Sequence, residues 1–431
     1  MASVDRRTRS DDTVRGLDFV EFHEHELPEV LHGPNGDCAA RALAAWRLPS
    51  LALQVDGRSY TYRPSARGLE VVAGEGDAAA VAALDGDAFS DLMQDVRSTV
   101  GLIIGDHARM VRGNQQTLID WEPVFRAALD GRPVYEPGAV DLRDRDGAPL
   151  DLDRAFAASD PPDAMAHFLA TAGFLRVRGV FSAEEMAEIA ADIDRAAPAY
   201  QPGDGRSWWA RTRAGEHRPV RLQAFQQRSE RAAALLDDAR LLALTALPGD
   251  GHRPGRGRDG NAVEALIKPI GVVEGISDVT WHKDCSLGRH SYQCCGITVG
   301  IAVTPADEDS GQLCVVAGSH RASLPLKGLR DDLDLPRIGL PTAAGDVTVH
   351  LSCTYHMSIP PRRAERRVLY AGFGLPPRPQ DSPERLDALR RIRERAPAKA
   401  LELRQTSIGD DPETDRRKGF DTRGVRSRRA E

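Results

Sequence analysis

The sequence lacks the features that direct a chain to a membrane or to nucleic acid. No apolar run approaches the roughly 18 residues that a transmembrane helix needs. The polar start, MASVDRRTRSDD, has no apolar segment typical of a secretory signal. The net charge of −7 favours neither nucleic acid nor an anionic membrane as a partner. We therefore expect a cytoplasmic protein that binds no nucleic acid and inserts stably into no membrane.

A pairing pattern among the cysteines is also missing. The six cysteines include no C-x-x-C pair. Cys294 and Cys295 are adjacent, which suits neither a zinc knuckle nor an easily formed disulfide. Reduced thiols, as in a cytoplasm, are the simplest interpretation of this pattern.

The length and composition predict two domains of α+β class. A chain of 431 residues is long for one average domain, and 41% hydrophobic residues are enough for two cores. The stretch EPGAVDLRDRDGAPLDLD is rich in Pro, Gly and Asp without periodicity, which marks a boundary. The predicted units are a disordered arm (1–16), an α+β domain (17–140), a linker (141–160), a second domain (161–378) and a C-terminal helix with a basic, disordered tail (379–431).

The second domain has the pattern of a β-sandwich or barrel. Short apolar runs such as GITVGIAVTP, DVTVHLS and RRVLYAGFGL are separated by turns rich in Gly, Asp and Pro. Before them lie a helix, a strand and a second helix. Ser182 and Glu185 form a capping box at the start of the second helix.

The stretch WHKDC holds a candidate metal pair. On a strand, His282 and Asp284 point to the same side and can reach one ion. A single His-x-Asp also arises by chance in an acidic chain with twelve histidines. The motifs later in the chain support a metal site, since they come in the order Gly-Ser-His, Gly-Asp, the distant His356, and an arginine pair. Two histidines and one carboxylate on one octahedral face are the ligand set of non-haem Fe(II) oxygenases.

Over about residues 162–375 the chain resembles the phytanoyl-CoA dioxygenase family of Fe(II)/2-oxoglutarate oxygenases. The motifs that carry the resemblance are AGFLRVRGVFSAEEMAEI, SGQLCVVAGSHR and GDVTVHLSCTYHMS. The resemblance implies a double-stranded β-helix, which is a jelly-roll fold with flanking helices, and a metal between its sheets. It also implies Fe(II) as cofactor, with 2-oxoglutarate and O2 as co-substrates.

Carried over by position, the metal ligands are His282, Asp284 and His356. The arginine that pairs with the far carboxylate of 2-oxoglutarate comes eleven residues after the distal histidine in many members, which selects Arg367 and leaves Arg366 as the alternative. A guanidinium suits this role because its planar fork binds a carboxylate through two hydrogen bonds. The presence of Asp284 implies oxygenation, which can be hydroxylation, desaturation or ring closure, because halogenating relatives lose this carboxylate.

The chain departs from the family pattern at two points. Gly300 stands where many members carry a bulky aromatic residue. The segment HMSIPPRRAERR lacks the asparagine that often comes after the distal histidine. Both departures bear on the shape of the pocket, and neither removes a predicted ligand.

In the first domain, Asp56-Gly57 predicts a hairpin turn, and TLIDWEPVFRAALDG predicts an amphipathic helix that ends at Gly131. The domain resembles the sterol-carrier (SCP2-like) fold in its pattern of strands, a Gly-Asp turn into a helix, a V-x-G-N turn and a closing helix. That resemblance implies an apolar tunnel for sterols or acyl chains. No residue there is placed to do chemistry, which suits a binding or packing role. The alternative is a domain that only mediates dimerisation or solubility.

Several other residues have both a structural and a functional interpretation. A structural role is preferred for His350, in the core or supporting the site, and for His320, at a turn. FHEHE, at 22–26, is interpreted as a solvated face. His290 and Lys283 flank the motif and could contact substrate, and Lys268 could contact the co-substrate or lie at the surface. Trp208 and Trp209 could line an apolar pocket or pack in the core, and Cys294 and Cys295 are interpreted as packing residues.

The sequence therefore predicts a 2-oxoglutarate-dependent non-haem iron oxygenase that hydroxylates an aliphatic C–H bond of a hydrophobic small molecule. A homodimer is left open. One alternative is a non-catalytic lipid-binding or scaffold protein, against which Asp284 and Arg367 both argue. The other is a cupin-type metal enzyme that does not use 2-oxoglutarate, in which Arg367 would have no role.

Overall fold

The structure is a computed structural model, and it describes residues 11–249, 251–255, 260–287, 296–403, 415 and 419–427. Within these ranges the chain is an α+β protein with three β-sheets. None of the helices seen there combines the length and the apolar character needed to cross a bilayer.

The N-terminal region is built on a five-stranded sheet in the order β3-β2-β1-β4-β5, with β1 and β4 parallel. Asp56 and Gly57 both have positive φ and form the tight turn of the predicted hairpin between β1 and β2. The strands are β1 (Leu51–Val55), β2 (Arg58–Ser65), β3 (Gly68–Ala73), β4 (Ala80–Leu84) and β5 (Ala108–Arg112).

Helices cover this sheet. The first two are joined by a π-helical turn at Phe22–Glu26, and the last ends at Gly131 in a left-handed conformation, as the sequence predicts. They are α1 (Phe19–Glu21), α2 (Leu27–Leu31), α3 (Pro34–Trp46), α4 (Gly86–Met93), α5 (Thr99–Ile104) and α6 (Gln115–Asp130). The mixed sheet with its helices agrees with the α+β prediction, and the SCP2-like resemblance stays a prediction.

The second region contains a ten-stranded sheet and a four-stranded sheet. The large sheet runs β12-β8-β9-β11-β18-β13-β16-β7-β6, with β10 paired to β18. Its strands are β6 (Phe156–Ala157), β7 (Phe174–Arg178), β8 (Ser207–Thr212), β9 (His217–Leu222), β10 (Arg253–Pro254), β11 (Val263–Lys268), β12 (Val272–Gly275), β13 (Ile297–Ala302), β16 (Val347–Leu351) and β18 (Arg366–Gly374). The small sheet runs β17-β14-β15-β19, with β14 (Leu313–Val316), β15 (Arg337–Leu340), β17 (His356–Ser358) and β19 (Val425–Arg426).

Helices pack on the outer face of the large sheet. They are α7 (Pro162–Ala172), α8 (Ala183–Ala196), α9 (Glu230–Ala234) and α10 (Ala239–Thr245), and α8 begins with the predicted Ser182–Glu185 capping box. Val299, Val349 and Leu369 are fully buried and join these helices in one core. The intervening positions of the same strands point to the other face, towards the small sheet. Two sheets with a shared interior are consistent with the expected jelly roll.

The N-terminal region packs against the outer face of the small sheet. Cys314, Val316 and Met357 are buried in the same hydrophobic core as the helices and strands of residues 19–135. The helix α5 also contacts a 3₁₀ turn at Asp284–Leu287. The two regions therefore share a core, and the N-terminal region reaches the candidate site.

The ends and the linker contain more order than expected within the described residues. Phe156 in β6 is fully buried, so the end of the predicted linker is part of the large sheet. The long helix α11 (Pro383–Leu403) contacts α5. Phe420 is buried, and β19 extends the small sheet next to β15, although the tail is expected to be disordered. Residues 1–10 of the arm and 404–414 of the tail lie outside the described residues.

Candidate metal centre

The two histidines of the predicted ligand set lie directly opposite each other on neighbouring segments of backbone. The N–H of His282 donates to the carbonyl of His356 at 3.1 Å, and the N–H of His356 donates back at 3.0 Å. Directly opposed residues of an antiparallel pair carry their side chains on the same face. The imidazole centroids are accordingly 4.3 Å apart.

A second pair of hydrogen bonds sets the tautomer of both rings. The Nδ1 of His282 lies 2.7 Å from the carbonyl of Thr280, and the Nδ1 of His356 lies 3.0 Å from the carbonyl of Thr354. A carbonyl oxygen can only accept, so each Nδ1 carries a proton, and in the neutral form of each ring Nε2 keeps the lone pair. Both Nε2 atoms are therefore in the form that binds a metal.

Asp284 completes the cluster from the first position of the 3₁₀ turn. Its Oδ1 lies 3.6 Å from Nε2 of His282 and 3.4 Å from Nε2 of His356. One ligand atom from each of the three residues lies within 4.8 Å of the others. The structure thus brings together the three residues that the sequence predicts as metal ligands.

Burial and the carboxylate act against each other on the ionisation of this cluster. Burial alone would raise the pKa of Asp284, but the surrounding histidines, His356 first, hold it well below its usual range. Burial would lower the pKa of His356, and the nearby carboxylate raises it above the ordinary value. The pKa of His282 is lowered by burial and by His356. The carboxylate is the negative centre of the cluster.

His350 and Thr298 contact the carboxylate from the large sheet. His350 is 1% exposed, and its Nε2 lies 3.2 Å from Oδ2 of Asp284. The hydroxyl of Thr298 donates to the same oxygen at 2.7 Å. The preferred structural interpretation of His350 agrees with this position. No sequence motif indicates Thr298, although its place opposite His350 follows from the pairing of their strands.

Lys283, between the two ligands of the His-x-Asp motif, points away from the cluster. Its ammonium lies 3.3 Å from the carbonyls of Ser319 and Ala322 and above the ring of Tyr355. Because side chains alternate along extended backbone, this orientation goes with His282 facing the site. Lys283 therefore anchors the motif to the loop after β14 and makes no contact with the interior of the site.

The two arginines that begin β18 face opposite ways. Arg366 is 3% exposed, and its guanidinium donates to the hydroxyl of Ser358 at 2.7 Å and to the carbonyl of Gly311 at 2.9 Å. Ser358 lies two residues after His356 on β17, so it is on the cluster side of its strand. Arg366 thus points into the space between the sheets.

Arg367, the residue predicted to bind the far carboxylate of 2-oxoglutarate, lies on the other side of β18. Its guanidinium pairs with Asp194 of α8 at 2.8 Å and with Glu365 at 2.9 Å. These carboxylates raise its pKa against the effect of burial. The structure therefore gives Arg367 a contact with the covering helix and places Arg366 on the face that carries the cluster.

Lys268 lies beside Arg366 in the same interior. The two are directly opposite on β11 and β18, and Lys268 forms a buried ion pair with Asp278. Burial, and then the charge of Arg366, hold the pKa of Lys268 well below its ordinary value. The sequence left this lysine either at the surface or near the co-substrate, and the structure excludes the surface.

Gly300 lies next to an aromatic ring from the neighbouring strand. A Cβ at this position would come within 2.8 Å of Cε1 of Tyr370 and 2.7 Å of Oγ1 of Thr348. The ring of Tyr370 on β18 therefore occupies the space beside Gly300 that a larger side chain on β13 would need.

The other candidate residues lie away from the cluster. His320 is buried and bonds the carbonyl of Ala170 at 2.9 Å, in line with its structural interpretation. The prediction of a solvated FHEHE face is wrong for His23. Its Nε2 lies 2.6 Å from the hydroxyl of Tyr62, and burial lowers its pKa to about 4. Trp208 and Trp209 lie half-buried on β8, and His290, Cys294 and Cys295 lie outside the described residues.

The N-terminal region supports the turn that carries Asp284. The hydroxyl of Ser98, at the start of α5, donates to the carbonyl of Ser286 in a short hydrogen bond. The same hydroxyl accepts the N–H of Gly101 at 3.0 Å and so caps the helix. No motif in the sequence signals this contact, because it joins residues 188 positions apart.

Comparison with known families gives a match across the second region. Residues 169–368 match the family described as Phytanoyl-CoA dioxygenase (PhyH). The matched segment contains the three cluster residues together with Arg366 and Arg367. No curated protein sequence is similar to the chain.

Solved structures with a similar arrangement include three proteins of 19–22% identity. SnoN, described as a non-heme alpha ketoglutarate dependent epimerase from nogalamycin biosynthesis, is 19% identical over 50% of this chain and 82% of its own, with a TM-score of 0.37. AviO1 from Streptomyces viridochromogenes Tue57 is 22% identical over 51% of this chain and 98% of its own, with a TM-score of 0.39. HygX from Streptomyces hygroscopicus, with nickel, 2-oxoglutarate and hygromycin B bound, is 20% identical over 49% of this chain and 86% of its own, with a TM-score of 0.38. TM-scores below 0.5 do not establish a shared overall fold.

Proposed function

We propose that this chain, whose residues 169–368 form a domain of the phytanoyl-CoA dioxygenase family, hydroxylates an aliphatic C–H bond of a hydrophobic small molecule. The family makes the chain a 2-oxoglutarate-dependent non-haem iron oxygenase that uses Fe(II), 2-oxoglutarate and O2. The observation that carries the proposal is the cluster of His282, Asp284 and His356, with both imidazole Nε2 atoms directed at one carboxylate oxygen.

The donor set fits Fe(II). Two neutral imidazoles and one carboxylate are the ligand set of the facial triad in these oxygenases. Ligand atoms about 2.1 Å from an ion and at right angles to each other are about 3.0 Å apart, and the two contacts to Oδ1 of Asp284 are 3.4 and 3.6 Å. A small inward movement of these side chains would close the cluster on an ion.

Arg366 is the best candidate to bind the far carboxylate of 2-oxoglutarate. Its guanidinium already bonds Ser358, and its buried Nε has no hydrogen-bond partner within the described part of the chain. The partners of the guanidinium, the hydroxyl of Ser358 and the carbonyl of Gly311, are neutral, and Lys268 on the opposite strand pairs with Asp278. A buried cation without full compensation favours an anionic ligand. Arg366 therefore takes the role that the residue count from the distal histidine assigns to Arg367.

The residues of the site have separate roles in the proposed reaction. Bound Fe(II), with 2-oxoglutarate and O2, supplies the oxidising chemistry that breaks the C–H bond. His282, Asp284 and His356 would hold the metal and would leave it free to bind the co-substrate and O2. The retained Asp284 supports oxygenation over halogenation. The aromatic ring of Tyr370, beside Gly300 on the interior face, supports a hydrophobic substrate, because it would help to exclude water from the reacting carbon.

Anaerobic titration tests this assignment. Fe(II) and then 2-oxoglutarate are added to the metal-free protein, and the visible charge-transfer band of the chelate is recorded. We expect the band in the wild type and its loss in H356A. Because a charge-assisted hydrogen bond contributes about 1.5–3 kcal/mol, R366A should need about 10- to 100-fold more 2-oxoglutarate to reach half of the band.

Arg367→Ala is the matched control, since it removes the same side chain from the next position of the same strand. We expect it to leave the half-saturating concentration of 2-oxoglutarate unchanged. The reverse result, with R367A impaired and R366A normal, would return the role to Arg367. Iron binding without a chelate band in the wild type would favour a metal enzyme that does not use 2-oxoglutarate.

A further inference from the structure

Two side chains of the large sheet meet at one oxygen of Asp284. Thr298 on β13 and His350 on β16 are directly opposite in the antiparallel register. The hydroxyl of Thr298 lies 2.7 Å from Oδ2 of Asp284, and Nε2 of His350 lies 3.2 Å from the same atom. The two candidate metal ligands approach the other oxygen, Oδ1. The two oxygens of this carboxylate therefore have different surroundings.

The contact sets the tautomer of His350. An ionised carboxylate oxygen only accepts hydrogen bonds, so Nε2 of His350 carries the proton that it shares with Oδ2. The remaining ring nitrogen, Nδ1, is buried and has no partner among the described residues. A protonated Nε2 has no lone pair for a metal, although the ring lies close to His356, with centroids 4.3 Å apart.

The position of Asp284 explains why such support is needed. His282 and His356 are fixed by their mutual backbone hydrogen bonds, whereas Asp284 begins a 3₁₀ turn outside the sheets. A carboxylate held at only one end can rotate and bind a metal through both oxygens. That would occupy a position that the co-substrate or O2 needs in a six-coordinate site.

We infer that Thr298 and His350 are positioning residues that hold Oδ2 of Asp284, so that only Oδ1 is presented to the metal and His350 is not a fourth ligand. The inference deepens the proposed function and rests on it. Binding through both oxygens would require both hydrogen bonds to Oδ2 to break. The pair thus keeps three positions of the metal open.

Matched substitutions in the full chain distinguish the loss of a hydrogen-bond donor from a change in side-chain volume. T298V removes the hydroxyl and T298S keeps it. H350L removes the ring, and H350Q places an amide N–H near the position of Nε2. The control is H320L, which removes another buried histidine that makes its contact elsewhere. The affinity for Fe(II) is measured anaerobically by calorimetry, and the thermal unfolding of each metal-free variant is recorded beside it.

Partners that orient a metal ligand typically change metal affinity 10- to 100-fold. We expect T298V and H350L each to weaken Fe(II) binding by at least about tenfold, and T298S, H350Q and H320L to stay within about threefold of wild type. Wild-type affinity in both T298V and H350L would overturn the inference. Loss of binding in H350Q and H350L alike, with T298V normal, would also overturn it, because His350 would then be a ligand. A wild type that binds no Fe(II) would instead refute the proposed function.

Discussion

Glu122 gives a stability prediction with a defined dependence on pH. The side chain lies on α6 and is 2% exposed. Its Oε2 accepts the N–H of Thr99 at 2.7 Å and also the hydroxyl of Thr99, while Oε1 has no partner in the part of the chain that the structure describes. Burial is the main cause that raises the pKa of Glu122 to about 7, although the bonds from Thr99 act in the opposite direction.

The sign comes from comparison with the unfolded chain, where the ordinary pKa is 4.5. Below pH 4.5 the carboxyl is protonated in both states, so its ionisation does not change the free energy of unfolding. Between pH 4.5 and 7 the unfolded state releases its proton first, so the folded state loses stability as the pH rises. A rise of the pKa from 4.5 to about 7 corresponds to about 3 kcal/mol at pH 8.

Glu122→Gln should remove the destabilisation that the ionised Glu122 causes at high pH. The amide keeps an oxygen for Thr99, and its N–H group takes the place of the O–H of the protonated acid, so the variant resembles wild type at low pH. We expect E122Q to raise the free energy of unfolding by up to about 3 kcal/mol at pH 8 and by less than about 1 kcal/mol at pH 4.5. Urea unfolding at the two pH values measures the difference.

The exposed Glu29 provides a control, because E29Q removes a carboxylate of similar chemistry in the same region without burial. Its free energy of unfolding should stay within about 0.5 kcal/mol of wild type at both pH values. Equal effects of E122Q at pH 4.5 and pH 8 would refute the reasoning, since only a group that titrates between these values can produce the difference.

Two further predictions concern the surroundings of the site. Ser98→Ala removes both the bond to the carbonyl of Ser286 and the helix cap, so we expect a loss of about 1–2 kcal/mol in urea unfolding together with weaker Fe(II) binding, and S98T should retain both. Wild-type iron affinity in S98A would show that α5 does not position the turn. Gly300→Ala places a methyl group against Tyr370 and Thr348, so we expect overpacking to cost about 1–3 kcal/mol in thermal unfolding. A wild-type melting temperature would mean that the Tyr370 ring moves aside without cost.

The features that could be predicted from the sequence are local ones. The Ser182–Glu185 capping box and the end of α6 at Gly131 depend on residues a few positions apart, and both are confirmed. The meeting of His282 with His356 joins residues 74 positions apart in the sequence, and it could be proposed only because the family resemblance supplied the order of motifs. Propensity alone does not specify that pairing.

The choice between Arg366 and Arg367 shows what the sequence left open. Counting residues from the distal histidine assumes that the loop after β17 has a fixed length. Side chains alternate along β18, so an error of one residue moves the guanidinium from the interior of the site to the covering helix. The contacts of Arg366 with Ser358 and of Arg367 with Asp194 show which way each guanidinium points. No sequence motif indicates either contact.

The same limit explains why the supports of Asp284 were missed. The imidazoles are held by local bonds to carbonyls two residues earlier, so the sequence that contains them also orients them. The carboxylate, on a turn, depends on Thr298 and His350 from two strands and on Ser98 from the N-terminal region. A site whose ligands come from one domain can therefore require the other domain for its geometry. On this reasoning the N-terminal region contributes to catalysis through the position of Asp284, whether or not it also holds a lipid.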